Sequence, residues 1–318
     1  MRGAPPAPAI DEAVRSCVGF LLDGQSNAGC WTDWDLPPGR SSMWTTAYVG
    51  LQISELPVRV KAPAASALRA AAQWLQRNQL AGGGWGYSDL TGCDADSTAH
   101  AVLFLSRVRA SIPTATYLRL LEFQQADGGF STYGHDEGLG SWGITHPDVS
   151  AVAALAVRPV AGAFGRAVEY VLRRRTPGGL WNSFWWSSPL YATRASLVLL
   201  QAAGSLLDLT PTRTALQAMT AENAFERALL LDALDLCDSA RTHTDGLATS
   251  LAEEQLADGS WPSEPVLRIT YRTCTAPWDA LDAGELYADT DRLFTSATVL
   301  AALTRHLART QGDRVRAR

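Results

Sequence analysis

Long apolar runs are missing from this sequence. No stretch of about 18 consecutive apolar residues occurs, which excludes an ordinary membrane-spanning helix. Paired cysteines are missing too: the five cysteines, Cys17, Cys30, Cys93, Cys237 and Cys274, are odd in number, scattered, and never spaced as CxxC. That pattern fits a reducing compartment better than a disulfide framework. There is no surplus of positive charge, the net charge being −5, so nucleic acid is not an expected partner. The first ten residues, with three prolines and little hydrophobicity, lack the apolar centre of a signal peptide. What is present is 318 residues, 47% hydrophobic and 19% charged, enough for a large buried core. The expected layout is a tail over 1–10, one domain over 11–307 and a basic tail over 308–318, in a soluble cytoplasmic protein.

One short phrase recurs. It reads QSNAGCW from Gln25, QLAGGGW from Gln79, QQADGGF from Gln124, RTPGGLW from Arg175 and QLADGSW from Gln255. All five fit Q/R-x-x-x-G-x-W/F, and the long gap from Arg175 to Gln255 has room for one degenerate copy. Each phrase follows one helical pattern and precedes, after a loop, a second Ala- and Leu-rich pattern such as DSTAHAVLFLSRV or FTSATVLAAL. Repetition on this scale means stacked supersecondary units. The glycine ends the first helix and permits a tight turn. The aromatic ring covers that turn, and the Gln amide bonds backbone at a helix end. These rings are therefore expected to be structural. About six such hairpins make an all-α protein, an α/α toroid of inner helices within outer helices, with a hole at one end.

Four further segments narrow the reading. They are SSMWTTAYVGL from Ser41, GGGWGYSDLTGCDADSTA from Gly82, HPDVSAVAAL from His146 and GLWNSFWWSSPLYAT from Gly179. With the repeated phrase they resemble, in order and separation, the catalytic domain of the squalene-hopene and oxidosqualene cyclases, the class II terpene cyclases. The resemblance covers about residues 11–303; the second barrel of those enzymes has no counterpart. Thr45 stands where the family has Asp after Trp, and Ser97 where it has the last Asp of D-x-D-D-T-A.

The resemblance implies that Asp96 delivers a proton to an alkene or epoxide, with Asp94 and Ser97 completing the motif. So weak a carbon base needs a protonated carboxyl held in a dry pocket. Two carboxyls two residues apart at a helix start would crowd and raise one proton affinity. Without the resemblance, Asp96 or Ser97 reads as a helix cap. His100, one turn on, and His146 are candidates to orient the acid, or ordinary packed residues. The missing third Asp suggests a starting group more basic than a plain alkene.

A carbocation then needs aromatic faces and no water. Tyr87 follows the G-G-W of the acid loop, and Trp44, Trp142, Trp185, Trp186, Tyr191 and Phe294 lie near inner-helix starts; core packing is the alternative for each. The resemblance implies a hydrophobic isoprenoid substrate and no metal or other cofactor. A diphosphate head group would bring Mg²⁺, for which acids over 279–291 are available, although that run reads as a solvated face. A zinc-dependent prenyltransferase β-subunit shares the barrel; Asp235, Cys237 and His306 have its ligand types, but Asp235 ends a helix where the family begins one. A lone barrel, with its pocket mouth unroofed, would also suit a binding module, one half of a two-subunit cyclase, or a homodimer. An oily substrate implies loose contact with a membrane surface.

Overall fold

The computed structural model describes residues 10–134 and 137–316. Thirteen α-helices are described. Six form the inner ring: α2 (Met43–Ser54), α5 (Ala95–Arg107), α7 (Pro147–Ala156), α9 (Leu190–Ala202), α11 (Ala224–Leu236) and α13 (Leu293–Arg316). Each packs on the next, and α13 packs back on α2, so the ring closes. Six more lie outside it: α1 (Ile10–Asp23), α4 (Ala65–Arg77), α6 (Thr114–Leu121), α8 (Ala161–Arg173), α10 (Thr210–Gln217) and α12 (Arg241–Glu253); a single turn, α3 (Val58–Lys61), precedes α4. Two antiparallel hairpins, β1 (Asp33–Leu36) with β2 (Gly39–Ser41) and β3 (Leu267–Thr270) with β4 (Gly284–Tyr287), and two short 3-10 segments, Ala62–Ala64 and Glu137–Gly143, complete the described elements.

The two rings differ in sequence because they differ in surroundings. Outer helix α8 buries Ala163, Ala167, Tyr170 and Val171, the single stripe of a helix with one dry face. Inner helix α7 buries residues on all sides, with Ala151, Ala153, Ala154 and Ala156 letting neighbours approach closely. On α2, Gly50 faces the Phe104 ring so tightly that an added methyl would sit 2.8 Å from it.

The repeated phrase is the joint between an outer helix and the next inner one. In four copies the Gln amide donates to the carbonyl four residues on and to the following outer helix. Gln25 reaches Gly29 and Ala67, both at 2.9 Å, and Gln255 reaches Gly259 and, closing the circle, Ala13 of α1 at 2.8 Å. Arg175 takes the same two places through Nε and Nη2. Each Trp N–H donates to the carbonyl ten residues back: Trp31 to Leu21, Trp85 to Leu75, Trp181 to Val171 and Trp261 to Leu251, at 2.6–2.8 Å. Gly83 has φ +93°, and an added Cβ would lie 3.1 Å from the Ala115 backbone, so both conformation and space demand glycine. The structural role expected for these rings is the one observed.

Three expectations change in detail. The gap after Arg175 holds α10 and α11 joined by a short turn with no aromatic phrase, because Ala218–Met219 already close on α10 carbonyls. Helix α13 continues to Arg316, past the boundary expected at residue 307. Of the expected N-terminal tail, residues 1–9 lie outside the described residues, and Ile10 already begins α1. Among the described residues no helix is long and apolar enough to cross a membrane.

Candidate active site

A cavity of about 570 Å³ opens at the end of the ring where the inner helices begin. Asp94, Asp96, Ser97, Trp44, Tyr87, Trp142, Trp185, Trp186 and Tyr191, all singled out in the sequence, line it. Phe294 does not. It is fully buried and lies behind the wall, stacked on Tyr48 at 3.7 Å and packed against Trp44 at 4.8 Å and Trp186 at 5.5 Å. Its helix start is fixed by the buried Asp33 carboxylate, which accepts the Leu293 and Phe294 N–H groups.

The start of α5 sets the acid geometry. Asp94 is the helix cap, accepting Ser97 N–H at 2.7 Å through Oδ1 and the Ser97 hydroxyl at 2.7 Å through Oδ2. Neither Asp96 nor Ser97 takes that role. Asp96 lies two residues into the helix, with 21% of its side chain exposed, and that opening is onto the cavity it lines. Both carboxyls are pushed up to about 7. Burial is the first cause in each case; mutual repulsion contributes to Asp94 only as a lesser cause, so crowding is not the main source. The hydrogen bonds favour charge on Asp94. Asp96 is lowered only by the Trp44 indole N–H, which sits near the carboxyl without a hydrogen bond of normal geometry. Asp96, without such bonds and open to the cavity, is the carboxyl less tied to its charged form.

The two histidines separate. His100 donates Nδ1–H to the Asp96 carbonyl at 2.9 Å, with the Asp96 Oδ1 at 3.5 Å. Burial lowers it to about 4, so it is a neutral ring braced against the acid's backbone. His146 does not approach Asp96. It stacks on Phe184 at 3.6 Å and donates Nε2–H to Ser141 at 2.8 Å, tying down a loop at the cavity mouth.

Sequence reasoning assigned no role to Asp148, at the start of α7. It lines the cavity, accepts Phe184 and Trp185 N–H groups through Oδ2 at 2.9 and 3.0 Å, and leaves Oδ1 without a partner. Burial pushes it up to about 6. Tyr133 was also missed; it lines the wall, packed on Trp142 at 5.9 Å. Its signal was available, because it follows the aromatic of the third phrase by three residues, as Phe184 follows Trp181.

The mouth carries a roof of its own. Hairpin β3–β4 joins the wall through Arg268 N–H to Trp185 at 2.6 Å and Ser187 N–H to Val266 at 2.9 Å. The short helical segment Glu137–Gly143 meets the hairpin's end through Ser141 N–H to Arg272 at 2.8 Å and the Trp142 indole N–H to Thr270 at 2.6 Å. Leu267, Ile269 and Leu139 turn apolar surface inward, with Leu36 and Pro37 from the β1–β2 hairpin. Local insertions thus cover part of the mouth that a lone barrel was expected to leave unroofed.

The zinc pattern does not assemble. His306 meets Asp235 through Nδ1 at 3.0 Å and Asp245 through Nε2 at 3.1 Å, and Arg309 also bonds Asp235. Among the described residues no group of three or more His, Cys, Asp or Glu is arranged to hold a metal. The acids over 279–291 are not one solvated face either: Asp289 is buried and caps Thr295 at 2.7 Å.

Comparison with known structures agrees with this geometry. The type II terpene cyclase MstE from Scytonema superposes with a TM-score of 0.84 and 26% identity, over 95% of this chain and 98% of that one. The chain is a class II terpene cyclase-like domain. A variant of MstE has been solved with geranylgeranyl dihydroxybenzoate as substrate, matching with a TM-score of 0.82, 26% identity, and 93% and 97% coverage. A curated terpentedienyl-diphosphate synthase from Kitasatospora griseola is 32% identical over 105 residues, 33% of this chain; the match spans only 19% of that enzyme. No protein-family model matches.

Proposed function

We propose that the protein is a single-barrel class II terpene cyclase that folds the isoprenoid chain of a prenylated hybrid substrate into rings. The observation that carries this reading is a carboxyl, Asp96, raised to about 7 at the floor of an aromatic cavity. MstE, similar in fold over nearly its whole length, binds a geranylgeranyl dihydroxybenzoate. A cavity of about 570 Å³ lies in the range of small-molecule sites.

The chain end would enter first and meet Asp96. The Asp96 proton adds to the terminal alkene or epoxide, leaving a cation that successive alkenes capture; loss of a proton from the last cation ends the sequence. Trp44, Trp185, Trp186, Tyr191 and Tyr133 offer faces to the cationic carbons, while the roof keeps out water that would intercept them. Asp94 caps the first turn by accepting the Ser97 N–H and hydroxyl, and burial keeps the Asp96 proton in place. His100 fixes the backbone from which Asp96 projects.

The side-chain acid supplies the only initiating group this chemistry needs, so the reading invokes no cofactor; a diphosphate substrate would add Mg²⁺ as its counterion. The reading includes a cytoplasmic protein that meets an oily substrate at a membrane surface. Purified protein should cyclise geranylgeranyl dihydroxybenzoate unaided, and Asp96→Asn should abolish product without loss of folding. Product that appears only when a second protein is added would replace this reading with that of half an enzyme.

A further inference from the structure

The cavity is electrically lopsided. Three carboxyls, Asp94, Asp96 and Asp148, lie on its inner-helix side. Among the described residues that line it there is one cation, Arg272. Arg272 follows strand β3, whose Leu267 and Ile269 face the cavity while Arg268 between them does not. It is exposed to solvent, which places it at the mouth. The guanidinium lies over the Trp142 ring at 4.8 Å, and Nη1 donates to the Gly138 carbonyl at 3.1 Å. Among the described residues it makes no ion pair, and Nε and Nη2 make no hydrogen bond. A guanidinium over an indole, anchored through one nitrogen and with its other two unbonded among the described residues, is a fork suited to a carboxylate.

We propose that Arg272 receives a singly charged carboxylate on the head group, so that the enzyme's substrates are prenylated aromatic acids, held head-out by this one residue. The proposal rests on the cyclase reading and adds the charge and orientation of the substrate. The carboxyls at the floor repel an anion, and the arginine at the rim attracts it, so the neutral chain end is the part that travels inward. The aromatic part of such a head meets Trp142 and Tyr133, which pack together beside Arg272. A diphosphate carries at least twice the charge and would face a single guanidinium, a poor match without further cations.

The test compares a geranylgeranyl hydroxybenzoic acid, its methyl ester and geranylgeranyl diphosphate with Mg²⁺, in the wild type, Arg272→Gln and Arg272→Lys. The wild type should favour the acid over the ester by tenfold or more in kcat/KM, mostly through KM. Arg272→Gln should erase that preference while leaving ester turnover within about twofold, and Arg272→Lys should restore part of it. Equal use of acid and ester by the wild type, equal loss of both in Arg272→Gln, or preference for the diphosphate would overturn the proposal. Equilibrium titration by tryptophan quenching keeps the question separate from catalysis. If no compound is turned over, the cyclase reading fails, yet tighter binding of acid than ester that vanishes in Arg272→Gln would still support the anion site, and equal binding would refute it.

Discussion

Raising the pH should switch the enzyme off near neutrality, and the structure gives the size of the effect. Asp96 must be protonated to act, and burial moves it from 3.8 to about 7. At its ordinary value roughly one molecule in a thousand would hold the proton at pH 7; in the folded protein about half do. The alkaline limb of kcat/KM should therefore bend near pH 7 and fall about tenfold per unit beyond pH 8. Asp148, also pushed up by burial to about 6, is raised by the charge of Asp96 only as a lesser cause. The same shift has a stability consequence of opposite sense to that of a salt-bridged acid. The folded state binds the proton more tightly than the unfolded chain, so Asp96 stabilises the fold at low pH and loses that contribution as pH rises from about 4 to 7. Between pH 5 and pH 8 the wild type should lose about 2–3 kcal/mol relative to Asp96→Asn, measured by urea unfolding at each pH. A flat rate profile from pH 6 to 9, or an equal pH dependence of stability in both proteins, would refute the reasoning.

Other consequences follow from particular contacts. Gln79→Ala removes bonds to Gly83 and Thr116 and should cost about 1–3 kcal/mol in denaturant unfolding with an unchanged product pattern. Asp232→Ala leaves Arg194 and Arg305 without their shared buried carboxylate; a loss of about 3–5 kcal/mol is expected by the same measurement. Ser97→Ala deletes the hydroxyl donor to Asp94, disfavouring charge there. The alkaline limb of the rate profile should change position while the fold persists by circular dichroism. Ser97→Asp should extend initiation to less basic alkenes, read by comparing alkene and epoxide substrates.

Much of the barrel was legible because its joints are local. Gln79, Gly83 and Trp85 act within ten residues of one another, and a repeated local device leaves a repeated phrase. The sixth hairpin was harder, since α10 and α11 join without that device. Asp96 was legible through its motif, but the cause of its raised proton affinity was not. Adjacent carboxyls suggested repulsion, whereas burial dominates, and burial depends on segments far away in sequence. The roof itself leaves little local trace: Ser141 and Trp142 bond Tyr271, Arg272 and Thr270, contacts no periodicity reveals. Phe294 misled for a related reason, because aromatics in the lining and one layer behind it occupy the same kind of helix start.

Cyclisation in D₂O tests the central claim most directly. If Asp96, equilibrated with solvent, begins the reaction, mass spectrometry and NMR should find one deuteron on the carbon or oxygen at the former chain terminus, and Asp96→Asn should yield no cyclic product. Rings formed without a deuteron there, or formed at an undiminished rate by the Asn variant, would contradict the account.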